Sequence, residues 1–245
     1  MSTLIVPKTR TVSEFDVVHG EKYSDPYRWL ESDAPEVHQW QQEQAQLADQ
    51  YVQDWPHFKA LQQSVDSCLV DHISDLPQFA GNNRWFRAEC NKNTGLNGVI
   101  ISETPYGEGE FVFTLEDKQP KHSAFLVWFS PSPNGNLLAV GVCSDGSEHN
   151  VITLIDVNSG ERLLNAPPQT LMDGFTGGVS WLPDSSGFYF QAIDGDPENF
   201  KRKLLFHHLA NGKQTPVPIP CSGQSDREYM LVTISSNGRY HLVNR

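Results

Sequence analysis

"PNGNLLAVGV", Pro133 to Val142, sets a polar turn built on Asn-Gly against a run of apolar and small residues, the pattern of a strand entered through a tight turn. The same turn-then-strand order recurs in "GNNRWFRAEC" (Gly81 to Cys90), "DSSGFYFQAI" (Asp184 to Ile193) and "SSNGRYHLVN" (Ser235 to Asn244). Aligned on Asn83, Gly135, Gly187 and Gly238, these units step by 52, 52 and 51 residues. A second series, "TPYGEGEF", "DVNSGERL" and "LANGKQTP", aligned on Gly107, Gly160 and Gly212, steps by 53 and 52. Two turn series with one period are what a repeated supersecondary unit produces; a β-sandwich would show them only by chance.

A period near 50 residues holding about four strands is the length of a propeller blade. Within one unit, "LLAVGVCS" reads as an inner strand, "VITLIDV" as the next, and "ERLLNA" as a short outer one, while "GVSWLPD" leads into the following unit. The expected fold is therefore mainly β: a partial β-propeller of about three and a third blades of about 52 residues, spanning 76–245. Propellers close with about four to eight blades. The chain stops in "GRYHLVNR", which aligns with "GNLLAVGV", so the last blade is expected to lack its later strands.

The first 75 residues follow a different pattern. From Asp33 onward Val37, Trp40, Leu47 and Tyr51 recur at helical spacing, with Pro35 in the first turn and Asp33 and Glu36 placed as a capping pair. A helix of about five turns is predicted. Trp55-Pro56 interrupts it, and Phe58, Leu61, Val65, Cys68 and Leu69 mark a second, shorter helix.

Composition narrows the partners. Thirty acidic residues against 18 Lys plus Arg give a net charge of −12, so the surface repels polyanions, and nucleic acid is not expected. Four cysteines, Cys68, Cys90, Cys143 and Cys221, stand singly without metal-ligand spacing and read as reduced, mostly buried thiols. The start "MSTLIVPKTRTVSEF" lacks a signal-peptide core and no later run reaches membrane-spanning length, so a cytoplasmic, membrane-free setting is expected.

Catalytic signals are missing. A hydrolase nucleophile needs Gly-x-Ser-x-Gly to hold its serine on a sharp strand-to-helix turn, and the nearest string, "GVSWL" around Ser180, lies inside a β repeat. His207 and His208 are adjacent, so their side chains point to opposite faces of a strand. "DGDPEN", Asp194 to Asn199, lacks the closing Glu of a calcium loop and reads as a polar hairpin. No catalytic residue, metal site or cofactor is expected within these 245 residues.

"HGEKYSDPYRWLES", His19 to Ser32, followed by an acidic amphipathic helix, resembles the N-terminal segment of the prolyl oligopeptidase family of serine peptidases. "NTGLNGVIISE" (Asn93 to Glu103), "FSPSPNGNLLAV" (Phe129 to Val140), "SDGSE" (Ser144 to Glu148) and "GVSWLPDSSGFYF" (Gly178 to Phe190) follow in the family's order at blade spacing. In that family a seven-bladed propeller caps an α/β-hydrolase domain, and the helical segment packs on the hydrolase. The resemblance implies that Tyr27, Trp29 and Leu30 face a hydrolase domain absent from this chain; closing a small local core fits the same residues. It also implies that Phe175 reaches the substrate pocket, although the local alignment needs a one-residue shift and a core phenylalanine fits equally.

Two functions follow as expectations. The first is the N-terminal and propeller portion of a prolyl oligopeptidase-like serine endopeptidase that cuts short peptides, with the propeller as a size-selecting gate and the chain inactive by itself. The second is a non-catalytic, truncated protein-binding module. On either reading the open propeller edge calls for a covering partner, the hydrolase domain or another chain, and the isolated chain is expected to be poorly soluble or oligomeric.

Overall fold

The computed structural model describes residues 6–70, 72–91, 96–115, 124–144, 149–171, 178–195, 200–218 and 228–244. The chain divides into two compact units, Met1–Val70 and Asp71–Arg245.

The first unit opens with a hairpin that the sequence reading missed, β1 (Phe15–Val18) against β2 (Glu21–Ser24). His19 and Gly20 form its two-residue loop with φ of 52° and 84°, the left-handed pair that matches the twist of a two-residue hairpin. Asp25 then starts a turn by accepting the Tyr27 amide on Oδ1, and Arg28–Glu31 form one turn of 3-10 helix. Helix α1 (Pro35–Gln53) has the expected five turns, and α2 (Phe58–Cys68) follows the Trp55-Pro56 break. The expected capping pair does not form. Ala34 is the N-cap without a side-chain bond; Glu36 is drawn off by a two-pronged ion pair with Arg10, and Asp33 takes the ring of His38 instead.

The second unit consists of blades. In blade 1, β3 (His72–Ser74) and β4 (Gln78–Ala80) lie end to end along β5 (Arg84–Asn91), followed by β6 (Leu96–Ser102) and β7 (Gly109–Thr114). Blade 2 holds β8 (Phe125–Pro131), β9 (Leu137–Cys143) and β10 (Asn150–Asp156). After a short strand, β11 (Thr170–Leu171), blade 3 follows with β12 (Ser180–Trp181), β13 (Gly187–Asp194), β14 (Lys201–His208) and β15 (Gln214–Pro216). Blade 4 is the two-stranded β16 (Leu231–Ile234) and β17 (His241–Asn244).

Three readings shift. "LLAVGVCS" is the second strand of its blade, because β8 occupies the edge next to it. "ERLLNA" contributes only an isolated bridge between Ile155 and Arg162, flanked by bonds from the Asp156 amide to Glu161 O and from the Leu163 amide to Leu154 O, so blade 2 lacks a regular fourth strand among the described residues. Blades 2 and 3 are also joined, since β11 pairs with β10 on one side and with β13 on the other.

The repeat register is corrected as well. The loops Ser132–Leu137, Leu182–Gly187 and Ser235–Tyr240 are equivalent: the first amide bonds the last carbonyl, and the amides of Gly135, Ser185 and Gly238 bond back to the first. Ser185, at φ 59°, thus occupies the left-handed position that the sequence reading gave to Gly187, and the true steps are 50 and 53. The third residue of each loop explains the tolerance. Asn134, Asp184 and Asn237 each accept an amide two residues on with the side-chain oxygen, so the turn is held without glycine. In the second series Gly160 and Gly212 share the left-handed geometry, whereas Gly107 sits in a different turn closed on Thr104.

The core lies between blades. Leu138 and Val140 of β9 face blade 1, packing with Phe86, Val99 and Phe129, while Ala139 faces blade 3 with Ile152, Leu154, Phe188 and Phe190. Burial on both faces accounts for the continuous apolar run in β9, and each fully buried Leu or Phe contributes about 1.5–3 kcal/mol.

Candidate functional site

The edge strands of the four blades are tied to one another by side chains one period apart. Gln78 Nε2 donates to Phe129 O at 3.4 Å, joining blade 1 to blade 2. Trp181 Nε1 donates to Ser130 O at 3.3 Å, joining blade 3 to blade 2, and Ser180 Oγ donates to Val232 O at 2.5 Å, joining blade 3 to blade 4. These strands carry side chains that cap their neighbours' carbonyls, so β4, β8, β12 and β16 form one wall. Ser180 is thereby a structural clamp rather than a nucleophile.

A cleft of about 310 Å³ opens in this wall between blades 2, 3 and 4. Tyr189, Phe190 and Gln191 of β13 form part of its lining, with Trp128 to Ser130 and Met230 to Val232 on either side. Gln191, 5% exposed, donates Nε2 to Glu228 O, and its Oε1 is buried without a partner among the described residues. The Tyr189 hydroxyl and His241 Nδ1 are hydrogen-bonded at 3.1 Å, and burial pushes the phenol up. Sequence reading passed over Gln191; the signal was a lone polar residue inside the apolar string "FYFQAI".

A second cleft, in blade 1, holds His72, Arg87 and Glu89. Arg87, 6% exposed, donates to Glu89, to Ser102 Oγ and to Gly107 O, and the second Glu89 oxygen meets His72 at 3.0 Å. Burial pushes the Glu89 carboxyl up, but the bonds from His72 and Arg87 more than reverse this and hold it below the usual carboxylate range. Every strong donor of this cluster is engaged within the blade, which marks it as a structural brace.

The residues singled out for docking separate. Trp29 is held locally: its Nε1 donates to Arg10 O, the Arg10 guanidinium lies 4.4 Å from the ring, and Trp40 meets it edge-on at 6.4 Å. Leu30 is half-buried and Tyr27 is about half exposed. Arg28, between them, is pinned by Asp16, Asp25 and Glu31, which fixes the turn that presents Tyr27. Phe175 and Cys221 lie outside the described residues. Among the described residues Cys68, Cys90 and Cys143 form no disulfide; of these three Cys143 is buried, Cys90 is intermediate and Cys68 is exposed at the end of α2, against the expectation of mostly buried cysteines. His207 and His208 do face opposite sides: His207 is fully buried against Phe188, and His208 bonds Thr215. Asp194 is paired with Lys203, and no group of three or more metal-ligating side chains occurs among the described residues. Among them no helix is long and apolar enough to cross a membrane.

Residues 7–244 match the family model for the prolyl oligopeptidase N-terminal beta-propeller domain. The prolyl endopeptidase of Elizabethkingia meningoseptica is 28% identical over 254 aligned residues, covering 99% of this chain and 35% of the relative. Prolyl oligopeptidase A of Amanita bisporigera is 25% identical over 270, covering 96% and 35%. This chain thus spans about a third of the length of the curated relatives it matches. Among solved structures, a prolyl endopeptidase studied for inter-domain dynamics superposes with a TM-score of 0.77 at 24% identity, over 97% of this chain and 36% of that one. Prolyl oligopeptidase B of Galerina marginata, bound to a 35-residue substrate, gives 0.73 at 19%, over 98% and 36%. With a matching family model over nearly its whole length and the same blade architecture, this chain belongs to the prolyl oligopeptidase family, within its N-terminal β-propeller domain.

Proposed function

We propose that these residues are the helical segment and first blades of a prolyl oligopeptidase-type serine endopeptidase, in which the propeller admits short flexible peptides to a nucleophile carried on an α/β-hydrolase domain. The observation that carries this reading is the match of blades and helical segment, in order, to the first third of prolyl endopeptidases. The helical unit supports it independently. Val37 is the one buried apolar side chain among its described residues, while Tyr51, Trp55, Leu61, Val65 and Leu69 are 47–65% exposed. So much apolar surface on two helices is the mark of an interface, and the hydrolase domain is the partner assigned to it, with Tyr27 and Leu30 on the docking side. That Cys68, Cys90 and Cys143 form no disulfide among the described residues accords with a cytoplasmic setting.

The test is the mass and reactivity of the native protein, detected with an antibody against residues 1–75. A form well above 27.5 kDa that labels with a serine-reactive fluorophosphonate supports the reading, and the 245-residue chain by itself should not label. A native form of 27.5 kDa that does not label would overturn it in favour of a non-catalytic binding module.

A further inference from the structure

We propose that the cleft between blades 2, 3 and 4 binds an extended, uncharged stretch of peptide main chain, with Gln191 Oε1 accepting one of its N–H groups. The inference deepens the peptide-handling reading and rests on it only for the source of the ligand.

The chemistry of the walls selects the occupant. None of the described residues lining the cleft carries a charge, so a phosphate or a carboxylate would be desolvated there without a counter-charge. Three runs of main chain converge on the space, from β8, β12 and β16, and each of these strands is hydrogen-bonded to a neighbour on one side only. An unpaired strand edge is a template for another extended chain. Three carbonyls of these edges, on Phe129, Ser130 and Val232, are already taken by Gln78, Trp181 and Ser180. Gln191 Oε1 is a buried acceptor with no donor among the described residues, and its amide is held in place through Nε2 on Glu228 O. Leaving such a group unpaired costs stability, and a ligand N–H removes that cost. A purely apolar molecule would leave Oε1 unpaired; a peptide amide satisfies it and pairs with the edges together. The volume, about 310 Å³, lies at the small end of ligand pockets, which suits a short stretch of main chain.

The test uses calorimetric titration of the 245-residue chain with a capped tetrapeptide of alanine and leucine, which offers no proline for cleavage. Saturable binding is expected, weakened about tenfold by Gln191→Met, which keeps the shape and removes the acceptor. Val232→Trp should fill the cleft and abolish binding. The same peptide with its central amides N-methylated should also fail to bind, and this arm needs no protein variant, so it holds even if a variant does not fold. Absence of saturable binding by the folded chain, or binding within twofold of the original after both N-methylation and Gln191→Met, would overturn the proposal. A native protein that does not label with the serine probe, while this chain still binds the peptide, would sink the peptidase reading and keep the cleft; the reverse result would sink the cleft only.

Discussion

Gly81 and Gly135 meet backbone to backbone between blades 1 and 2. The Gly81 amide donates to Pro133 O at 2.7 Å, and a Cβ built on Gly135 would stand 2.4 Å from the Gly81 carbonyl oxygen. Gly135 also adopts φ 71°, which L-residues avoid. Asn82 and Arg84 complete the contact by donating to the Asn134 and Gly135 carbonyls. Gly135→Ala therefore combines strain with a clash and is expected to cost about 2–3 kcal/mol, a drop of roughly 5 °C or more in melting temperature for a chain of this size. A melting temperature unchanged from wild type would show that the blades are not locked at this rim.

Arg87 and Glu89 form the buried brace of blade 1, with side chains 7% and 12% exposed. Replacing Arg87 by Met leaves a mostly buried carboxylate with only His72 as partner and should cost about 3 kcal/mol. Adding Glu89→Leu should recover much of that loss, because the uncompensated charge goes with it. The sign of the pH dependence follows from the lowered Glu89 carboxyl: its stabilisation is full above the ordinary carboxylate range and is lost as acid protonates it. Denaturant titrations of the single and double variants at neutral pH and near pH 4 check both statements.

His207 works in the opposite direction. Its ring is fully buried, Nδ1 meets Gln214 at 3.4 Å and Nε2 has no partner among the described residues, so burial first, and the charge of His208 second, lower its basicity below the ordinary value of 6.5. The unfolded chain takes up a proton below about pH 6.5 while the folded chain resists it, so stability is retained above that pH and declines as the solution is acidified toward the folded value. Melting temperatures between pH 7.5 and 5.5 should fall for the native sequence and fall less for His207→Leu. Equal slopes for the two proteins would remove His207 from the account.

Blades were legible from the sequence because the central strands of blades 2 and 3 are buried on two faces and turn back through polar loops, which leaves both a period and an apolar run in the string. β9 is the clearest case, since Leu138 and Val140 serve one interface and Ala139 the other. The register was misread by two residues at Gly187 because Asp184 holds the turn with its side chain and lets Ser185 take the left-handed position. Nothing in a glycine count reveals that substitution. The β1–β2 hairpin escaped because His-Gly is an uncommon pair for a turn that Asn-Gly usually makes. The candidate site was the least legible part: Gln78 and Phe129, Ser130 and Trp181, and Ser180 and Val232 lie 51, 51 and 52 residues apart and share a wall only because equivalent strands of successive blades are brought side by side.

Blade 4 is held to blade 3 by few groups, and this sets where the second unit should open first. Ser180 donates to Val232 O and Gln191 to Glu228 O, the Tyr189 hydroxyl is hydrogen-bonded to His241 with its ring 5.4 Å from the imidazole, and the Arg202 guanidinium lies 3.8 Å from the Tyr229 ring. Beyond these the hairpin offers solvent its apolar side chains, with Leu231, Tyr240 and Leu242 exposed by 45%, 69% and 67%. Each lost hydrogen bond costs about 1 kcal/mol, so Ser180→Ala with Tyr189→Phe should weaken the attachment by about 2 kcal/mol while leaving the interfaces of blades 1 to 3 intact. Hydrogen exchange is the measurement that separates local from global opening. Amides of Leu231–Ile234 and His241–Asn244 should exchange on the order of tenfold faster or more in the double variant, with those of β9 and β13 unchanged. Acceleration spread evenly over all blades would mean that the hairpin opens only with the whole unit and that these side chains do not form a separable latch.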